Sequence, residues 1–356
     1  MFGFCPRMES LVHGCVIVKV LWLSALVVFL FSVILTWLLR MYALRNSVID
    51  IPNERSSHSV PTPRGGGVAI VISFMAVLPY LWYSELLQFS DMCGLLGAGG
   101  ALAILGFLDD HGHIAARWRL AGHFIASGWI LFWLGGLPAI EMFGTRFDLG
   151  WIGTVLGAFY IVWLLNLYNF MDGIDGLASV QTITTCVGAC VLYYWLGENR
   201  LIPTSLLLAI SAGGFLCWNF PPARIFMGDA GSGFLGIVLA ALSLQASQSN
   251  PDFLWAWLIL LGVFIVDATF TLMRRLLRGE RVYEAHRTHA YQYASRRHKA
   301  HLPVTLTVLL INVLWLFPWA AAVVLFKLDG PIALLVAYAP LVALAIRYNA
   351  GTPEHV

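Results

Sequence analysis

Residues Val20–Leu39 read VLWLSALVVFLFSVILTWLL, with no charge until Arg40 follows. At about 1.5 Å of rise per residue, such a run crosses the roughly 30 Å of hydrocarbon in a bilayer. It is too long for the apolar core of a signal peptide, and no small-residue cleavage site follows, so it reads as a retained helix. Ten further runs follow: Gly67–Tyr83, Met92–Leu108, Leu120–Ile140, Trp151–Tyr168, Leu177–Gly197, Ile202–Trp218, Gly233–Ala246, Phe253–Met273, Val304–Phe326 and Pro331–Ile346. The eighth is short and glycine-rich. The expected architecture is an all-α integral membrane protein of ten or eleven transmembrane helices, a single polytopic domain over 1–356.

Composition agrees. Of 356 residues, 59% are hydrophobic and 11% charged. A soluble protein of this size would have to show much of that apolar surface to water. The net charge of +2 says little as a total, and no nucleic-acid partner is expected. Where the basic residues fall is more telling. If the four arginines after the first run are cytoplasmic, alternation leaves only Arg7, Lys19, Arg146, Arg200 and Lys327, five of the 21 lysines and arginines, on the other side. Basic residues favour cytoplasmic loops, which places the N-terminus outside and the C-terminus inside. Cysteines in the spans, including Cys186 and Cys190 one turn apart, read as packing residues without metal-site spacing.

The chemistry is confined to five segments on the expected cytoplasmic side: DIPNERSSHSVPTPRGGG (Asp50–Gly67), LDDHGHIAARWRL (Leu108–Leu120), NLYNFMDGIDGLAS (Asn166–Ser179), NFPPARIFMGDAGSG (Asn219–Gly233) and RRLLRGERVYEAHRTHAYQ (Arg274–Gln292). Asp109 and Asp110 repel one another beside an apolar run, although a pair at a helix end can simply face water. Asp172 and Asp175 alternate with Gly173 and Gly176. Asp229 sits among small residues that let backbone N–H groups approach a ligand. Five aspartates at one membrane surface suit a hard divalent cation bridged to phosphate oxygens, with Arg119, Arg224 and Arg287 available for the remaining oxygens. Such a set describes phosphoryl transfer, with a lipid phosphate as one substrate.

These segments, from about Asp50 to Gln292, resemble the polyprenyl-phosphate N-acetylhexosamine-1-phosphate transferases. The Asp-Asp pair, the Asn-x-x-Asp-Gly-x-Asp-Gly run, Phe-Met-Gly-Asp-x-Gly-Ser and a His-bearing last loop stand in family order. The resemblance implies an enzyme of the bacterial inner membrane. An oxygen of undecaprenyl phosphate attacks the β-phosphate of a UDP-N-acetylamino sugar. UMP leaves, and the product begins O-antigen or another cell-surface glycan. It also implies Mg²⁺, with Mn²⁺ able to substitute, and members that can form homodimers.

Carried over by motif, Asp229, Asn169 and Asp110 are the expected metal ligands. Asp109 and Asp110 stand beside the lipid phosphate. A lipid phosphate is already largely dianionic at neutral pH, so direct displacement is favoured over a phospho-aspartate intermediate. Asp175 is the uracil acceptor, Phe226 the stacking ring and Asn219 a further nucleotide contact. Asp172 and Arg119 join the substrate-binding set. His286, Arg287 and His289 are expected at the diphosphate and sugar. Relatives carry further histidines where this chain has Ala290-Tyr291-Gln292, and an apolar wall there would suit a 6-deoxy sugar such as N-acetylfucosamine or N-acetylquinovosamine.

Other residues have plainer readings. His111, His113, His298 and His301 read as interfacial surface residues. His58 and Arg64 either shape the nucleotide pocket or belong to a rigid proline–glycine re-entry. Asp267, inside the ninth run, either faces the site or pairs with an arginine. A transporter would hold its carboxylates near the bilayer midplane. A membrane prenyltransferase would need a second Asp-rich repeat, which Asp109-Asp110-His111-Gly112-His113 lacks.

Overall fold

Small residues decide how the helices meet. Without a hydrophobic drive between helices in lipid, association rests on close packing, which glycine, alanine and serine allow. The glycine-rich eighth run does this most. It forms a 21-residue helix, α8 (Asp229–Ser249), 17 of whose residues are buried, at the centre of the bundle. What looked in sequence like a marginal span is the hub.

The computed structural model describes residues 6–52, 60–112, 114–280 and 286–353. His58, His113, Arg281 and the side chain of His111 lie outside them. The helices before α8 are α1 (Pro6–Arg45), α2 (Val68–Tyr83), α3 (Phe89–His111), α4 (Ala116–Leu134), α5 (Gly150–Met171), α6 (Leu177–Leu196) and α7 (Ile202–Asn219). After it come α9 (Asp252–Leu260), α10 (Gly262–Leu277), α11 (Ala290–His298), α12 (Leu302–Ile311), α13 (Phe317–Phe326) and α14 (Gly330–Arg347). Strand structure among the described residues is limited to two short antiparallel ladders: β1 (Ile49–Asp50) with β2 (Thr62–Pro63), and β3 (Ile140–Met142) with β4 (Thr145–Phe147). The chain is thus an all-α, multi-pass integral membrane protein.

Each predicted run overlaps a helix. Among the described residues, eight helices are long and apolar enough to cross a membrane, and a ninth if α9 and α10 count together. Helix α2 is shorter, and α4 opens on Arg117 and Arg119.

Phe253–Met273, read as one span, is two helices bent by 72°. A break in lipid must re-satisfy the carbonyls it frees. Here Tyr338 Oη donates to Leu258 O at 2.6 Å, and Gln181 Nε2 donates to Leu260 O at 2.9 Å. Between α12 and α13 lies a π-helical turn, Asn312–Leu316, whose Asn312 Nδ2 bonds Gln181 Oε1 (2.9 Å) and Thr184 Oγ1 (2.8 Å). That pins the α12–α13 rod to α6.

At one end of the bundle, the β3–β4 hairpin meets the start of α14 and α9. Phe143 N donates to Asp329 Oδ2 (2.6 Å), Trp255 Nε1 to Glu141 O (2.7 Å), and Lys327 pairs with Asp252 (2.7 Å). The aspartate-bearing segments converge at the other end.

Candidate active site

The segment around Arg64 and the loop before α8 run side by side. Phe226 N donates to Pro63 O (2.8 Å), Gly66 N to Phe226 O (2.9 Å) and Gly67 N to Met227 O (2.8 Å). A Cβ on Gly67 would lie 2.5 Å from Gly231 Cα, so only glycine permits this approach. Likewise a Cβ on Gly106 would sit 2.6 Å from the Ala230 backbone, which lets α3 touch the first turn of α8. One turn beyond Gly106, Asp110 reaches that helix start.

Asp110 is almost wholly buried and pairs with Arg64. Its oxygens also accept the N–H of Asp229 (3.2 Å) and of Ala230 (3.4 Å), capping α8 from another helix. Asp109 bonds Arg119 Nη1 (2.5 Å) and Ile114 N (3.0 Å). Arg119 also lies 4.0 Å from Asp229 Oδ2. The adjacent pair therefore splits, each carboxylate to its own arginine.

A polar cavity of about 220 Å³ opens beside Asp229. Its walls include Asn169, Asp172, Asp175, Asn219, Phe226 and Asp229, six of the residues singled out in the sequence. Arg64 lines it too, and its buried Nε has no hydrogen-bond partner. The PTPRGGG segment is thus both a rigid re-entry and part of the cavity. Asn169 Oδ1 accepts from Ser232 Oγ (3.3 Å), joining the end of α5 to α8. Asn219 is a clamp: its Oδ1 accepts Gly176 N (2.9 Å) and its Nδ2 donates to Ile225 O (2.9 Å). Asp175 Oδ2 accepts Ala223 N at 2.9 Å.

Three residues on the wall escaped the sequence reading: Asp50, Gln292 and His301. His301 corrects the expectation of a surface histidine. Its side chain is 15% exposed, with Nδ1 3.0 Å from Asp175 Oδ1. The Leu302-Pro303 that follows marks a helix start but not the direction in which His301 turns. Phe226 and His301 also border a larger neighbouring cavity of about 510 Å³, with Arg296 and Lys299 on its wall.

The last loop is placed differently. His286, Arg287 and His289 are not on the wall of the polar cavity. His289 is buried and stacks between His286, Phe170 and Tyr291. Asp267 pairs with histidine and a helix start rather than with an arginine: it contacts His289 Nδ1 (3.3 Å) and accepts the N–H of Ala290 (2.9 Å) and Tyr291 (3.0 Å). Tyr291 turns inward, its hydroxyl donating to Phe170 O at 2.9 Å. Ala290 and Tyr291 line a separate apolar cavity among α10, α12 and α14, so they build no wall at the polar one.

With this geometry in place, the comparisons with known proteins are specific. Residues 92–247 match the model of glycosyl transferase family 4. The chain is 30% identical over 289 residues, 79% of each chain, to a probable undecaprenyl-phosphate N-acetylglucosaminyl 1-phosphate transferase of Bacillus subtilis. The chain belongs to the polyprenyl-phosphate N-acetylhexosamine-1-phosphate transferases. It is similar, at 28% over 77% of each chain, to a decaprenyl-phosphate N-acetylglucosaminephosphotransferase of Mycobacterium leprae. A phospho-N-acetylmuramoyl-pentapeptide-transferase of Streptococcus pyogenes is 29% identical over 63% of this chain and 69% of its own.

This glycosyl-1-phosphate transferase crowds negative charge at its cavity. Burial, and then the carboxylates of Asp229, Asp110 and Asp175, push Asp172 well above the ordinary carboxylate range. Among the described residues, no three His, Cys, Asp or Glu side chains form a ready metal site. That is compatible with Mg²⁺, which is commonly bound by one or two carboxylates plus substrate phosphates rather than by an all-protein cage. The crowded oxygen donors fit such an ion, because a cation there would offset the mutual repulsion among Asp172, Asp229 and Asp110.

Proposed function

We propose that this transferase moves an N-acetylamino-sugar 1-phosphate from a UDP-sugar to undecaprenyl phosphate in the bacterial inner membrane. One observation carries the reading: the candidate metal ligands Asn169 and Asp229, with Asp172 beside them, share one cavity with the candidate nucleotide-side residues Asp175 and Phe226. In this reading Asp229 and Asn169 hold Mg²⁺ with Asp172, which lines the cavity, in place of the expected Asp110, which is engaged by Arg64 and the start of α8. The ion, when bound, neutralises charge on the diphosphate. Phe226 stacks on uracil and Asp175 accepts from it. Arg64 and Arg119 hold phosphate oxygens.

An oxygen of the lipid phosphate attacks the β-phosphorus, a new P–O bond forms, and the bond from that phosphorus to the bridging oxygen breaks. The electrons leave with UMP. Asp109 and Asp110 orient this end of the site through Arg119 and the start of α8. The catalytic core is taken as residues 50–292, in an eleven-span topology with the N-terminus outside and the site facing the cytoplasm. The product would begin a cell-surface glycan such as O-antigen.

The transporter alternative has little support in the broken α9–α10 pair. Of its two carboxylates, Asp252 pairs with Lys327, and Asp267 is spent on His289 and the start of α11.

The test is UMP release by the purified protein. Release should require a UDP-sugar, undecaprenyl phosphate and Mg²⁺ together. Release without the lipid, or none with all three, refutes the reading. A donor panel sets the sugar. UDP-N-acetylglucosamine, whose sugar appears in two relatives' names, leads it, because Ala290 and Tyr291 supply no ground for a 6-deoxy preference at this cavity.

A further inference from the structure

Asp175 is held from the side away from Asp229 by the first turn of α12. Thr305 Oγ1 donates to Asp175 O at 2.9 Å, and His301 Nδ1 stands 3.0 Å from Asp175 Oδ1. The register of α12 is itself fixed by Asn312 on Gln181 and Thr184 of α6, the helix that begins just after Asp175. A carboxylate is an acceptor, so a nitrogen that close to it must carry the proton between them. Nδ1 also lies 3.4 Å from the Asp175 N–H, but the shorter contact is to an oxygen that only accepts, and it sets the imidazole hydrogen on Nδ1. With Ala223 N–H on Oδ2, the two carboxylate oxygens of Asp175 are each fixed by one donor. The group is aimed before any ligand arrives. His301 sits on the wall of both the polar cavity and its larger neighbour, where the two meet at Asp175 and Phe226.

We propose that His301 is a positioning residue for donor recognition: through Nδ1 it fixes the Asp175 carboxylate as the acceptor for a pyrimidine N–H. This rests on the nucleotide side of the function proposed above. A preset acceptor needs no reorganisation on binding, so loss of His301 costs donor affinity and leaves the phosphoryl step intact. Position Nδ1 can be tested by side-chain geometry. Asparagine places its amide nitrogen near where Nδ1 was, whereas glutamine reaches the place of Nε2.

The experiment uses the full-length protein in detergent, with UDP binding followed by calorimetry and turnover followed by UMP release. His301→Ala and His301→Gln should raise Kd for UDP and KM for the UDP-sugar about tenfold, the scale of one lost hydrogen bond to a charged group. The KM for undecaprenyl phosphate and kcat should stay within twofold. His301→Asn should restore most of the affinity. In an Asp175→Asn background, His301→Ala should add little. Unchanged UDP affinity in His301→Ala overturns the proposal, as does an equal loss in alanine and asparagine variants. A fall in kcat with both KM values altered alike also overturns it, since that is a structural effect. Wild-type protein that binds UDP without turnover would sink the transfer reading alone, and the binding data would still decide His301. Wild-type protein that binds no UDP would overturn the proposal.

Discussion

Asp110 accepts the backbone N–H of Asp229 at 3.2 Å, so a carboxylate from the Asp-Asp segment caps the helix on which the principal candidate metal ligand stands. Three features make that contact possible. Gly106 leaves no side chain between α3 and Ala230, Gly67 closes on Gly231 from the other side, and Arg64 balances the buried charge of Asp110. The same helix start holds Ser232 against Asn169. The beginning of α8 is therefore the point where four of the five segments are fastened together.

Removing the cap should separate stability from charge. Asp110→Ala frees two N–H groups at the start of α8 and should cost about 1 kcal/mol in capping alone, with the unpaired Arg64 adding to it. Asp110→Asn keeps an acceptor for the helix and loses only the charge. Thermal unfolding in detergent should rank wild type above Asn above Ala. Equal melting of the two variants would mean that Asp110 does not cap α8.

Asp229→Asn bears on chemistry. The proposed Mg²⁺ would lose a charged ligand that neither Asn169 nor Asp172 replaces. A loss of several kcal/mol of transition-state stabilisation corresponds to roughly three orders of magnitude in turnover, since about 1.4 kcal/mol is tenfold. The variant should still fold, because the residue's backbone N–H, not its side chain, meets Asp110. A third of normal turnover at saturating Mg²⁺ would take Asp229 out of the metal site.

The sequence made the cavity legible because its motif residues stand at helix ends, where spacing and small residues fix local shape. Asn169 and Asp172 close α5, Asn219 closes α7 and Asp229 opens α8. The bend in the ninth run was not legible, because composition hides geometry. Around its bend Phe253–Met273 is apolar, and the carbonyls freed there are met by Tyr338 and Gln181, far away in the chain. His301 was missed for a similar reason: Asp175 lies 126 residues before it, and a histidine before Leu-Pro carries no local mark of that partner. The last loop was misplaced because Asp267, inside an apolar run, gathers His289 and the start of α11 onto itself.

Topology can be read by labelling. The β3–β4 hairpin and Lys299 are both exposed. With the site end in the cytoplasm, a cysteine replacing Arg146 in a strain carrying no other reactive thiol should react with an impermeant maleimide on intact spheroplasts. A cysteine replacing Lys299 should react only after lysis. The reverse pattern would invert the proposed orientation.

His286 should give the protein an acid-sensitive margin. Burial first, then neighbouring His289 and Arg275, lower its pKa to about 3, with Asp267 pulling weakly the other way. The contacts agree with a neutral ring, since Nδ1 lies 2.9 Å from the Thr288 hydroxyl and 3.4 Å from Thr288 N, both able to donate to it. An unfolded histidine titrates near 6.5. Above that value both states are neutral, and His286 adds no pH dependence. As pH falls from about 6.5 towards 3, the unfolded chain takes up a proton that the folded one refuses, so stability is lost progressively across that window. His286→Gln cannot titrate. Melting temperatures of wild type and variant should differ by a constant amount above pH 7, and the difference should shift in favour of the variant at pH 5.5 and further at 4.5. Carboxylates elsewhere titrate in both proteins and cancel in the comparison. A difference that stays the same from pH 7.5 to 4.5 would show that His286 is protonated as readily in the folded chain as in the unfolded one. It would then bring a positive charge to the last loop, a role the neutral ring leaves to Arg287.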